Sequence, residues 1–280
     1  MTGLIKFKQR SNFMAALSAL FISASFAPTA QAQDSIFTIP SPENESFADV
    51  GVAGVIRDTY VGSNDSEELF LPFVNAEYKG RFFLKPGLGA GIYAVKNKQF
   101  RVGISGNLAL GRDSEDTPFE DQIETQGLDK NLFEIDSTVT ANLSVRYYLP
   151  FGAIDVLGAI PVGGDLDGQR VDALFTTEIY PTPKLRITPG IRGTYQSSGW
   201  VNSIYGVNAD QASALGVDEV KLGAQFSTIG AHVIGYYQLP RNLELVGVVN
   251  YSRLLGDIKD SPLVETNNGL TAALGIAYQF

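Results

Sequence analysis

Beyond residue 49, apolar and polar residues alternate with a period of two through most of the chain, the pattern of strands with one apolar and one polar face. The clearest run, Thr138 to Leu149, sets Val139, Ala141, Leu143, Val145, Tyr147 and Leu149 against Thr138, Thr140, Asn142, Ser144 and Arg146. From Phe100 to Leu110, Phe100, Val102, Ile104, Leu108 and Leu110 oppose Arg101, Ser105 and Asn107. The same reading separates Leu185, Ile187, Ile191 and Tyr195 from Arg186, Thr188, Arg192 and Thr194, and it continues to the end through Leu270, Ala272, Leu274, Ile276, Tyr278 and Phe280. No helix-period segment of comparable length follows residue 49, so the spacing predicts an all-β chain.

Soluble sandwiches alternate too; the links between strands separate the two cases. One set is short and often carries proline: 96–99, 150–152, 181–184 and 239–242. The intervening set, at 58–68, 112–136, 162–170, 196–222 and 254–268, is longer and polar. Short turns at one end and long loops at the other are expected of a transmembrane antiparallel up-and-down β-barrel, with turns in the periplasm and loops outside. Aromatics near strand ends (Tyr147, Tyr148, Tyr180, Tyr236, Tyr237, Tyr278) suit interfacial girdles. The segments number about 12, with 10 as the alternative. The difference turns on Arg81 to Val95, where Pro86, Gly87, Gly89 and Gly91 suit either a tight hairpin or one bent strand. Closure is expected because lipid cannot satisfy an open sheet edge.

At the N-terminus, Lys6, Lys8 and Arg10 precede an apolar stretch from Phe13 to Phe26, and Ala30-Gln31-Ala32 follows. This is the layout of a signal peptide over residues 1–32. The mature chain is expected to start near Gln33, with an N-terminal periplasmic segment at 33–48, tail or plug, and a barrel over 49–280 in the bacterial outer membrane. Removing the three basic residues of the signal leaves 18 Lys and Arg against 30 Asp and Glu, a net charge of −12. Nucleic acid is thereby disfavoured as a partner, since its capture rests on cationic neutralisation of phosphates. With no cysteine in the chain, disulfides, thiolate metal sites and cysteine nucleophiles are excluded.

Candidate chemistry is sparse. The polar faces carry Arg101, Arg146, Arg186 and Arg192 with Asp155, Asp172, Glu178 and Glu244, all expected in the lumen. Charges of both signs in a narrow barrel either pair into a filled interior or, if the arginines share one wall, make an anion-leaning pore; the filled interior is the expectation. His232, the single histidine, falls on the face with Thr228, Gly230 and Gln238. No Gly-x-Ser-x-Gly elbow or serine at a telling spacing accompanies it, so a structural lumen histidine and a non-enzymatic protein are expected. Asp165-Leu166-Asp167-Gly168 lacks the closing glutamate of a calcium loop and reads as a turn, and Gly87-x-Gly89-x-Gly91 reads as strand packing because no helix pattern follows. Neither a metal nor a cofactor is expected. Between Arg112 and Asp136 acidic residues predominate, as in a solvated external loop that could recruit divalent or polybasic species. Lys79, Lys96, Lys98, Lys184 and Arg241 gather on the predicted periplasmic turns, where they either solvate the turns or meet a partner.

Residues 251–264, Tyr-Ser-Arg-Leu-Leu-Gly-Asp-Ile-Lys-Asp-Ser-Pro-Leu-Val, resemble the near-terminal signature of the MipA/OmpV family of outer-membrane proteins. Tyr60-Val61-Gly62-Ser63 resembles the family's early Tyr-x-Gly-Ser segment, although Asn64 separates it from Asp65; Arg81-Phe82-Phe83 and Tyr278-Gln279-Phe280 also fit. The resemblance implies a barrel among outer-membrane lipids, and Tyr278 with Phe280 resembles the signal read by the barrel-assembly machinery. The family's other name, MltA-interacting protein, implies a scaffold joining a lytic murein transglycosylase to a penicillin-binding synthase. Other family members are discussed as adhesins or porin-like proteins, so a channel or surface receptor stays open as the second class.

Overall fold

The structure, a computed structural model, describes residues 46–109, 111–112, 129 and 132–280. The expected signal peptide, nearly all of the segment 33–48 and most of the acidic stretch 112–136 lie outside the described residues.

The alternation produces strands β1 (Phe47–Asp58), β2 (Ser66–Tyr78), β3 (Phe82–Lys85), β4 (Gly89–Lys96), β5 (Phe100–Ala109), β6 (Thr138–Leu149), β7 (Gly152–Gly163), β8 (Arg170–Thr176), β9 (Ile179–Thr182), β10 (Leu185–Gln196), β11 (Gln225–Gln238), β12 (Leu243–Leu254) and β13 (Asn268–Gln279). Neighbours pair antiparallel in chain order. β8 and β9 both lie against β10 and form one strand broken at Thr177 and Glu178, which gives a twelve-strand wall. It closes where β1 meets β13 from Asp49↔Gln279 to Arg57↔Thr271. The segment left open between hairpin and bent strand is a hairpin, β3–β4 turning at Pro86-Gly87-Leu88.

Most of the long strands hold 12 to 14 residues, more than the ~9–11 a tilted strand needs to cross a bilayer. Their outer faces are apolar and exposed: Phe70, Ile104, Leu143, Ile191, Phe226 and Leu274 stand between 52 and 74 % open. Such a belt around the whole wall exceeds what a soluble monomer exposes and matches a lipid-facing surface. Aromatic pairs border it at both ends, Phe100 with Tyr147 and Tyr278 with Phe280 at the turn end, Tyr195 with Phe226 at the loop end.

One part of the wall is shallow. β3 has four residues and meets only Ala76 to Tyr78 of β2. Among the described residues, Ser66 to Asn75 therefore pair with β1 alone, and Asn107 to Ala109 of β5 with β6 alone. Pro72 sits in this half-paired stretch, the sheet position where a missing N–H is tolerated. Asn107 Nδ2 donates to the Gly87 carbonyl at 3.1 Å and ties the hairpin tip to β5.

At the loop end the long links fold into a cap with its own apolar core, which alternation does not foretell. Tyr60, Leu166, Trp200, Ile204, Tyr205 and Ile258 are buried together. Helices α1 (Ser198–Tyr205) and α2 (Ala209–Leu215) and a 3-10 turn at Gly256–Asp260 supply the frame. Asn208 caps α2, accepting from Gln211 N while Gln211 Oε1 accepts from Asn208 N, which satisfies two otherwise orphan donors. Arg112 is buried, exchanges backbone hydrogen bonds with Ile135 and donates from Nη1 to the Ile204 carbonyl at 2.9 Å.

Candidate functional site

Cross-strand pairing sets which residues meet inside the barrel. Arg146 faces Asp155 across β6–β7 and makes a two-pronged bond, Nε to Oδ1 at 2.6 Å and Nη2 to Oδ2 at 3.0 Å. One strand on, Asp172 accepts from Arg192 Nη2 at 2.7 Å, Thr194 Oγ1 at 2.7 Å and Arg170 Nε at 3.0 Å. Beside them Glu77 takes both Lys85 Nζ and Lys96 Nζ, and Lys85 also donates to the Tyr93 hydroxyl at 2.9 Å. The Arg101 guanidinium lies over the Tyr148 ring. Arg146, Arg192, Lys85, Lys96, Asp155, Asp172 and Glu77 thus each have an opposite charge beside them, the condition for holding ions out of water.

Part of the wall carries an apolar patch. Ala53, Val55, Phe73, Ile234, Val246 and Val248, from β1, β2, β11 and β12, form one buried cluster. Asn75, Val246 and Asp172 are 0, 0 and 2 % exposed although they point inward. A water-filled pore would leave them wet, so side chains fill this part of the lumen. Glycine makes the filling possible: a Cβ on Gly51 would stand 2.4 Å from the Phe73 ring, and one on Gly190 2.5 Å from the His232 imidazole.

Of the residues singled out from sequence, Arg101, Arg146 and Arg192 join this packed interior, and His232, half-buried over Gly190, faces it from β11. Arg186 sits lower, its guanidinium 4.0 Å over the Tyr236 ring. Glu178 is exposed at the break between β8 and β9, where it accepts from the Tyr180 hydroxyl at 2.6 Å. Lys79, Lys98, Lys184 and Arg241 are exposed at the turn end, but Lys96 is not a free turn cation. A bulge between Tyr93 and Val95 reverses the parity of β4, turns Val95 toward lipid and sends Lys96 inward to Glu77. Sequence reasoning did not single out Asp49, Glu77 or Lys85, all inward and buried; the available signal was a charge at an inward position of an otherwise apolar strand. Tyr236, expected in an interfacial girdle, is instead inward and buried.

A cavity of about 370 Å³ opens at the turn end, bounded by Asp49, Tyr180, Lys184, Arg186, Tyr236 and Glu244. Tyr278 and Phe280 stand exposed beside it, and Phe280 N donates to the Ala48 carbonyl at 2.9 Å, so the last residue lies on the closing seam.

The family described as MltA-interacting protein MipA matches residues 50–280. The MltA-interacting protein of Escherichia coli (strain K12) is 23 % identical over 231 residues, which cover 81 % of this chain and 87 % of that protein. YiaT of the same strain, named as an outer membrane protein, is 22 % identical over 259 residues, covering 88 % of this chain and 96 % of its own. Among solved structures, the COG4313 outer membrane channel from Pseudomonas putida F1 aligns with a TM-score of 0.37 at 12 % identity, over 86 % of this chain and 97 % of its own. A likeness at that level carries no functional argument.

Proposed function

The chain belongs to the MipA family, in the outer membrane, and on that premise we propose that it is a non-enzymatic scaffold whose periplasmic turn end holds a murein transglycosylase near a penicillin-binding synthase. The observation that carries this reading is the filled lumen. Where inward side chains exclude even water, the rims are the surfaces left to act.

The turn tips add support. Lys79 has a φ of 53° and Arg241 one of 64°, left-handed values that disfavour a residue bearing a Cβ by roughly 1–2 kcal/mol. Glycine or asparagine is the usual occupant of such turns, so a cation held there at a backbone cost points to a use for its charge. Lys98 and Lys184 extend the same cationic rim. Mild-detergent extraction with cross-linking should recover a murein transglycosylase with the wild-type barrel and much less with Lys79, Lys98, Lys184 and Arg241 all changed to Glu. Recovery of no murein enzyme from the wild type would remove the reading. The channel reading draws its support from the polar groups of the lumen, and the burial of those groups weighs against it.

A further inference from the structure

The cavity at the turn end is lined by groups of both charge signs that keep unused bonding capacity. Glu244 is 7 % exposed, and its Oε2 has no hydrogen-bond partner among the described residues. Tyr236 is 1 % exposed with its hydroxyl likewise unpartnered. Native proteins leave few buried polar groups unpaired, and two of them on one cavity, unpaired among the described residues, mark a place for a further polar partner. Nearby, Asp49 keeps one carboxylate oxygen for Asn75 Nδ2 at 2.9 Å. The Arg186 guanidinium is stacked on Tyr236 and interacts through space with both carboxylates, and Lys184 stands exposed at the mouth.

This pattern selects among ligands by charge. A polyamine would answer Glu244 and Asp49 but bring a cation against Arg186 and Lys184. A phosphate would answer the bases and leave Glu244 facing an anion. Only a molecule with a separate ammonium and carboxylate matches both sets, and about 370 Å³ lies within the ~300–1,000 Å³ range of small-molecule sites. We propose that the cavity binds a short zwitterionic peptide, its ammonium on Glu244 and Asp49 and its carboxylate on Arg186 and Lys184. The proposal rests on the turn end facing the periplasm, as the scaffold reading does, but not on the capture of any enzyme.

The test is titration calorimetry of the mature barrel, refolded in detergent and shown folded by heat-modifiable gel migration, against alanyl-alanine, its N-acetyl derivative and its C-terminal amide. Alanyl-alanine should give saturable heat, and either derivative should lose at least tenfold in affinity. In Glu244→Gln the N-acetyl penalty should vanish while the amide penalty persists, and Arg186→Gln should show the reverse. Tighter binding of the D,D form would assign the ligand to cell-wall peptides, and of the L,L form to peptides from protein breakdown; either supports the site. No saturable heat from the folded wild type, or equal binding of all three compounds, overturns it, and this comparison stands even if a variant does not fold.

Discussion

The phenol of Tyr60 donates to the main-chain carbonyl oxygen of Leu263 at 2.6 Å, across 203 residues of sequence. The two stretches that carry the family resemblance, 60–63 and 251–264, therefore meet in space. Tyr60, Ser63, Ile258, Ser261 and Leu263 are all buried at their junction, and Ser261 Oγ donates to the Tyr205 carbonyl at 2.6 Å. The motif builds the cap over the loop end; it does not form the turn-end rim.

Tyr60→Phe keeps the ring and removes one buried donor, leaving the Leu263 carbonyl unpaired there. The cap should lose about 1–3 kcal/mol while the barrel keeps its heat-modifiable migration. Limited trypsinolysis is the check: cleavage after Lys259 should be faster in the variant, and unchanged cleavage would show that the bond does not hold the cap.

Asp172 gathers two guanidinium groups and a hydroxyl in the packed lumen. Asp172→Ala would leave those cations without their counter-ion, which costs on the order of 3–5 kcal/mol for a buried pair. The urea midpoint of the refolded barrel should fall accordingly. Lys221→Ala, which breaks the exposed contact between Lys221 and Glu219, should leave that midpoint unchanged.

The half-paired stretch of β2 makes a separate prediction. Glu67 and Phe73 aside, alternate residues from Ser66 to Asn75 direct their N–H groups to an edge with no ladder partner among the described residues. By hydrogen exchange, these amides should exchange well before those of β12, which is paired on both sides. Uniform protection in the two strands would mean that the edge is covered.

Much of the wall was legible in the sequence because a barrel obliges each strand to show one face to lipid and one to the lumen, and Val139 to Leu149 can be sorted by parity alone. Lys96 shows where parity fails: one extra residue at Ala94 is invisible in composition yet moves a lysine from an expected turn to a buried ion pair. The cap was illegible for another reason. Tyr60, Leu166, Trp200 and Ile258 come from four different links, each too irregular to carry a period, and only closure of the barrel brings those links to one end. At the turn-end cavity, Arg186 and Glu244 were marked as inward charges, but Asp49, Tyr180 and Tyr236 became their neighbours only through the pairing of β1, β9 and β11 around the ring.

The filled lumen is tested most directly by planar-bilayer conductance of the refolded barrel, once its gel migration shows that it is folded. The packing of Glu77, Asp172, Arg192 and Val246 predicts no discrete steps across a wide voltage range. Reproducible stepwise currents that change when Arg192 is replaced would contradict it and favour the channel reading over the proposed scaffold.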